Sequence, residues 1–181
     1  MWEYNIRYRD PKERTMERRD FIALSALAGA SCCLHAETIH TPQYAAFVRI
    51  RPLIAAVQEH MFPPHSKLPS AASIHTIYFT EETLFHPTYD KEIRAFVIEG
   101  AQELLQREPH FLSYDTEAKE SALRAYEETQ NGRYWLSRIM VLTMEALFSD
   151  PIYGSNIKEA GWRSVQSFGG EPRPQTRYIE L

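Results

Sequence analysis

The stretch Asp90-Lys91-Glu92-Ile93-Arg94-Ala95-Phe96-Val97-Ile98-Glu99-Gly100-Ala101-Gln102-Glu103-Leu104-Leu105 decides the fold class. Asp90 is a capping residue, and Ile93, Phe96, Val97, Gly100, Ala101, Leu104 and Leu105 then recur at helical spacing to form one apolar stripe. Gly100 inside the stripe marks either the close approach of another helix or a tolerated glycine. Pro109 breaks the chain after it.

The flanking segments read the same way. Thr41-Pro42 is a helix opening, a capping hydroxyl followed by proline at the first helical position. Phe47, Val48, Leu53, Ile54, Val57 and Met61 line one face, with Pro52 making either a kinked helix or two short pieces that end at Phe62-Pro63-Pro64. A second helix is expected to open at Pro69-Ser70, carry Ile74, Ile77, Tyr78, Leu84 and Phe85, and stop before Pro87. After Phe111-Leu112, the polar run Ser113 to Glu117 caps a helix to about Glu128 with a small Ala118, Ala122, Ala125 face. Asn131-Gly132 reads as a turn, and the last long helix, about Arg133 to Phe148, presents Trp135, Ile139, Leu142, Thr143 and Ala146. The expected architecture is all-α, a small irregular domain of about five helices with a turn-rich C-terminal tail. That tail, with Pro172, Pro174, Tyr178 and Ile179, either lies along a partner or is disordered.

Composition agrees with a single globular domain: 181 residues, 44% hydrophobic and 12% aromatic, long enough to bury a core. The formal net charge is -4 and the basic residues do not cluster, which leaves no electrostatic footprint for nucleic acid.

The N-terminal region carries Met16-Glu17-Arg18-Arg19-Asp20-Phe21-Ile22 and then a mild apolar run from Ala23 to Leu34. Paired arginines, Phe21 shortly after them and a short Ala/Leu/Gly/Ser stretch resemble a twin-arginine export signal; the plainer alternative is a short amphipathic helix. The run is shorter than the ~20 apolar residues a membrane span needs. Such signals begin close to their arginines, so Met16 is the expected start and residues 1–15 a gene-model extension. Residues 16–36 are then the leader, cleaved after Ala36, and residues 37–181 the mature helical domain. Gly29 or Ala30 stands where a lipoprotein site at Cys32 or Cys33 would prefer leucine, which argues against lipidation. Both cysteines fall in the leader, so the mature chain holds no disulfide, cysteine-ligated cluster or Cys-x-x-Cys-His haem.

Catalytic patterns are missing. His40, His60, His65, His75, His86 and His110 form no His-Glu-x-x-His, and there is neither a Gly-x-Ser-x-Gly elbow nor a Gly-x-Gly-x-x-Gly loop. Glu81-Glu82 and Glu127-Glu128 read as solvated helix faces. By its own residues the chain is not an enzyme, and no catalytic, cofactor-binding or metal residues are assigned.

Beyond the last long helix comes Phe148-Ser149-Asp150-Pro151-Ile152-Tyr153-Gly154-Ser155-Asn156, then Gly161-Trp162. Physically this is a helix stop at Pro151 followed by a compact turn, because Gly154 and Asn156 tolerate positive φ. The same segment, with the leader, resembles the gluconate 2-dehydrogenase subunit 3 family, the small (gamma) subunits of membrane-bound flavin-dependent sugar and sugar-acid dehydrogenases. Asp150, Pro151, Tyr153, Gly154, Asn156, Gly161 and Trp162 carry the likeness; Phe62-Pro63 and residues 69–105 follow more loosely. The chain departs at Ser155, where the family commonly has a second glycine, and in the loop at Gly169-Gly170.

The resemblance implies a non-catalytic subunit that binds an FAD-containing large subunit in the cytoplasm and carries it through the twin-arginine translocase. It then stabilises the complex on the periplasmic face of the membrane. Electrons would pass to quinone through a multihaem cytochrome c subunit, so FAD and haem c belong to partners. Arg18, Arg19 and Phe21 would serve transporter recognition, and the Asp150–Trp162 residues would be an interface or structural element with Tyr153 and Trp162 as anchors. Gluconate, glucose, fructose and sorbitol stay open as substrates, because the pocket would lie in the other chain. An independent periplasmic helical ligand-binding or interaction protein is the alternative.

Overall fold

The computed structural model describes residues 41–177; Arg18, Arg19 and Phe21 of the expected leader, the expected boundaries at 15 and 36, Cys32, Cys33, and Tyr178 and Ile179 lie outside them. Among the described residues there are six α-helices and no strand: α1 Pro42–Met61, α2 Thr76–Leu84, α3 Lys91–Arg107, α4 Thr116–Glu127, α5 Gln130–Phe148 and the short α6 Ala160–Ser164. Single 3-10 turns occupy Phe111–Ser113, Pro151–Tyr153 and Ile157–Glu159. The all-α expectation holds.

Local caps start most of these helices. Thr41 Oγ1 accepts from the Tyr44 amide at 3.2 Å, Asp90 from Glu92 and Ile93, and Asp115 from Ala118 at 2.8 Å. Pro52 lies within α1 and is exposed, and the helix runs on in one piece from Pro42 to Met61 although the proline has no N–H for the carbonyl one turn before it.

Two expectations about boundaries fail. Residues 69 and 70 are irregular and 71–75 are turn, not the start of α2. The amides that would sit free in a first helical turn are taken from outside, Ala71 by the Phe62 carbonyl at 3.0 Å and Ala72 by Glu59 at 2.7 Å. His75 is then left-handed, with φ 62°, immediately before the helix. Asn131-Gly132 is not a turn but the first turn of α5, because Thr129 caps the helix by accepting from the Gly132 amide at 2.9 Å.

Helices α1 and α5 run through the core. α1 packs on α2, α3, α4 and α5, while α5 also touches α2, α3, α4 and α6. The buried stripe of α1 is Phe47, Ile50, Leu53, Ile54 and Val57; Val48, expected there, is exposed. Tyr78 likewise leaves the α2 stripe and lies beneath the Arg51 guanidinium, 4.6 Å from ring centre to Cζ. In α4 the inward face is Ala122, Leu123 and Tyr126, and Ala125 faces water. At the centre, α3 and α5 meet face to face. A Cβ on Gly100 would stand 2.1 Å from Trp135 Cδ1, so the glycine is a true close approach. The fully buried Trp135 ring donates its N–H to the Val97 carbonyl at 2.9 Å. Tyr126 O–H donates to the Gly100 carbonyl at 3.0 Å, and burial with the nearby Glu103 carboxylate raises its phenol strongly.

Candidate functional site

A helix end leaves carbonyls without partners, and the segment after α5 supplies them from side chains. Ser149 Oγ donates to the Ala146 carbonyl at 3.2 Å, and the Trp162 indole N–H donates to Phe148 O at 2.8 Å. Asp150 then caps the 3-10 turn by accepting from the Ile152 amide at 3.0 Å, with Pro151 in the first position, where no N–H is needed. Gly154, at φ 84°, closes that turn by donating to the Pro151 carbonyl at 3.0 Å.

Asn156 is the hub. It is fully buried in a left-handed conformation, φ 50° and ψ 46°. Its amide N–H donates to Ser149 O at 2.8 Å while its oxygen accepts from the Gly161 amide at 2.7 Å. One side chain thus binds the end of α5 to the start of α6. Gly161 passes so close to α5 that a Cβ there would lie 1.9 Å from the Leu147 carbonyl oxygen. Ser155, at the position where the resemblance would place glycine, is also fully buried. Its hydroxyl donates to Ile74 O at 2.7 Å, tying the turn to the loop before α2.

The tail folds back over this unit. Arg173 Nε meets Asp150 at 2.6 Å, its Nη1 meets Glu159 at 3.1 Å, and its guanidinium covers the Trp162 ring at 4.7 Å. Arg173 first, and the Ile152 amide after it, hold the Asp150 carboxyl below its ordinary range. Of the seven motif residues, Asn156, Gly161 and Trp162 are buried within the chain. Asp150, Pro151 and Tyr153 are half-buried, and Gly154 is exposed. The polar side chains of Asp150, Ser155 and Asn156 are engaged with backbone groups of the chain itself, Asp150 also with Arg173. What this arrangement can do is hold shape.

Two neighbouring surfaces were not visible in the sequence reading. Tyr153 helps wall an apolar cleft of about 560 Å³, with Phe79, Thr83, His86, Tyr89 and Phe148 around it. Glu145 lies on its rim; desolvation there raises its carboxyl, and Arg138 pulls it back. The second surface is the outward side of α5, where Tyr134 is 60% exposed and Met140, Val141 and Met144 each about 40%. At about 3.6 residues per turn these four share one arc, opposite the buried Trp135, Ile139, Leu142 and Ala146. The available signal was a wheel of α5 carrying apolar residues on both sides. Elsewhere, His60 lies 2.7 Å from Glu120, and among the described residues no three His, Cys, Asp or Glu side chains are grouped to hold a metal ion.

A family model described as gluconate 2-dehydrogenase subunit 3 matches residues 50–170, well over half of the chain. The chain belongs to that family. The matched span runs from within α1 to the far side of α6, so this subunit 3 domain takes in the whole Asp150–Trp162 unit. The family's name points to a subunit of a gluconate 2-dehydrogenase complex. No curated protein and no solved structure matches the chain. No described helix of this family member is long and apolar enough to cross a membrane.

Proposed function

We propose that the chain is the non-catalytic small (gamma) subunit of a periplasmic, membrane-associated, flavin-dependent gluconate or sugar dehydrogenase. In this reading it folds with the FAD-containing large subunit, stabilises it and brings it through the twin-arginine translocase using Arg18, Arg19 and Phe21. It then stays in the complex, where a multihaem cytochrome c subunit takes the electrons. The observation that carries the reading is family membership over residues 50–170. The self-satisfied Asp150–Trp162 unit supports a structural part for this chain. The apolar outward arc of α5 is the surface that meets the large subunit, since clustered Tyr and Met suit an interface core.

The test is a pull-down through a C-terminal tag from membrane and periplasmic fractions, read by flavin absorbance and dye-linked dehydrogenase activity. A flavoprotein should co-purify, and both chains should stay in the cytoplasm when Arg18→Lys and Arg19→Lys are combined. A lone, colourless protein that exports by itself would overturn the reading in favour of an independent helical protein. Val141→Glu with Met144→Glu should lower flavoprotein recovery at least tenfold with the helical signal intact; full recovery would remove the α5 arc as the docking face.

A further inference from the structure

Residues 64–73, between α1 and α2, and the short helix α6 form the walls of an open groove of about 620 Å³. Both walls are anchored. Leu68 from the first and Ala160 from the second pack on one small buried cluster of Phe62, Ala71, Ile74 and Leu147. Backbone ties fix the same place, the Ala71 amide on the Phe62 carbonyl and the Ser155 hydroxyl on the Ile74 carbonyl. Lys67 stands next to Leu68, and Arg163 one helical turn after Ala160. The packing that seats each wall therefore also brings a cation to the groove.

Charge sets this groove apart. The chain is acidic overall, with a formal net charge of -4, yet no Asp or Glu lines the groove. The clefts beside Tyr153, Tyr134, Tyr78 and His60 each have at least one carboxylate in their walls. Arg51, Arg107, Arg124 and Arg173 are all paired with carboxylates. Among the described residues, Lys67 and Arg163 have neither an ion pair nor a side-chain hydrogen bond, and both are exposed. The Glu59 carboxylate is committed to the Ala72 amide at 2.7 Å and stands outside the groove's walls. Of the serines in the walls, Ser66, Ser73 and Ser164 donate their hydroxyls to carbonyls of the chain. Ser70 only accepts, from the Ser73 amide at 3.3 Å, and keeps its proton for an anion.

Two exposed cations hold a single free anion weakly, because water screens them. A membrane surface presents anionic headgroups at high density, and each Lys or Arg close to it adds attraction. The chain leaving α6 supplies an apolar partner for such a surface. Val165 and Phe168 come soon after Arg163, and Phe168 is 77% exposed, more than any residue of the α5 arc. Cations beside an exposed aromatic suit the headgroup region, with charge on phosphate and ring at the acyl boundary.

We infer that the Lys67–Arg163 groove binds the phosphate groups of acidic phospholipids, with Phe168 inserted beside them, and gives this subunit its own contact with the membrane. The inference deepens the membrane-associated role proposed above and rests on it for the compartment. It uses none of the α5 residues assigned to the large subunit.

The experiment takes the purified chain, without a large subunit, and sediments it with vesicles of phosphatidylcholine alone or enriched in phosphatidylglycerol. Binding should require phosphatidylglycerol and fall as salt is added. Lys67→Gln combined with Arg163→Gln should weaken it about twentyfold, at about fivefold for each basic residue. Phe168→Ser should weaken it several-fold and leave the salt dependence in place. Every variant keeps residues 1–40, so binding contributed by that segment is common to all. A second readout belongs to the groove alone. Acylation of the Lys67 amine, followed by mass spectrometry, should slow several-fold on phosphatidylglycerol vesicles and stay unchanged on phosphatidylcholine. Unchanged binding in either variant, or unchanged Lys67 acylation on the acidic vesicles, would overturn the inference. Inorganic phosphate that protects Lys67 as well as the vesicles do would also overturn it, since the groove would then take a small free anion. Flavoprotein recovery in the pull-down should be unaltered in both variants, which separates failure of this inference from failure of the subunit reading.

Discussion

From Pro42 to Phe148 the buried side chains are mostly apolar, Phe47, Ile54, Leu104, Trp135 and Ile139 among them, with Gln58, Thr76, Thr80 and Thr143 the buried polar residues, and they come mainly from helices that pack on one another. From Ser149 to Arg177 the buried residues are Ser155, Asn156, Gly161 and Trp162; the side chains of Ser155, Asn156 and Trp162 each donate to a backbone carbonyl, and the Gly161 amide donates to the Asn156 side chain. The first region is held by non-directional burial, which accepts many side chains of suitable volume. The second is held by directional bonds in which each lost partner strands a buried donor or acceptor. Short motifs of specific residues are therefore to be expected in the second region and apolar periodicity in the first.

The difference can be tested from its strongest side downward. Trp135→Ala removes a fully buried ring and its bond to Val97, and should lower unfolding free energy by about 4 kcal/mol. Denaturant titration should show all helices melting together at a lower midpoint. Asn156→Ala leaves the Gly161 amide and the Ser149 carbonyl without their partner, at a cost of about 2–3 kcal/mol. Amide exchange should accelerate in residues 149–165 well before α1 to α4. Equal acceleration throughout would break the comparison, since the two regions would then open as one unit.

The smallest effect is acid sensitivity of the Asp150–Arg173 pair. Asp150's folded pKa is depressed, so its contribution is present above the ordinary carboxylate value near ~4 and is lost as pH falls through the lower folded value. Glu159 and Glu171 also contact this arm, and Glu103, lowered chiefly by Asn131, adds its own acid dependence in α3. Exchange in 149–177 should therefore rise below about pH 4, and Asp150→Asn should flatten the Asp150 part of that rise while leaving the Glu103 part in α3. An unaltered acid profile in that variant would assign the sensitivity to the other carboxylates.

Much of the fold was legible in the sequence because its signals are local. Thr41, Asp90 and Asp115 cap amides two or three residues ahead, and Pro151 stops α5 by its own ring. The stripe from Trp135 to Ala146 follows from helical period alone. The motif residues could be named, and the left-handed tolerance of Gly154 and Asn156 was readable, but not what each one holds. Asn131-Gly132 looked like a turn by residue type, and only the Thr129 cap makes it helix.

Sequence alone determined the helical class, the order of the long helices and the place of the C-terminal turn, because those depend on contacts within one or two turns of chain. Tertiary structure decided that Pro69 to His75 stays out of α2, since Phe62 and Glu59 take its first amides. It also decided that Ser155 meets Ile74 across 81 residues, that Gly100 lies against Trp135, and that α5 keeps an apolar arc outward. Each of these joins groups far apart in the chain, and such pairs exist only once every helix has been placed.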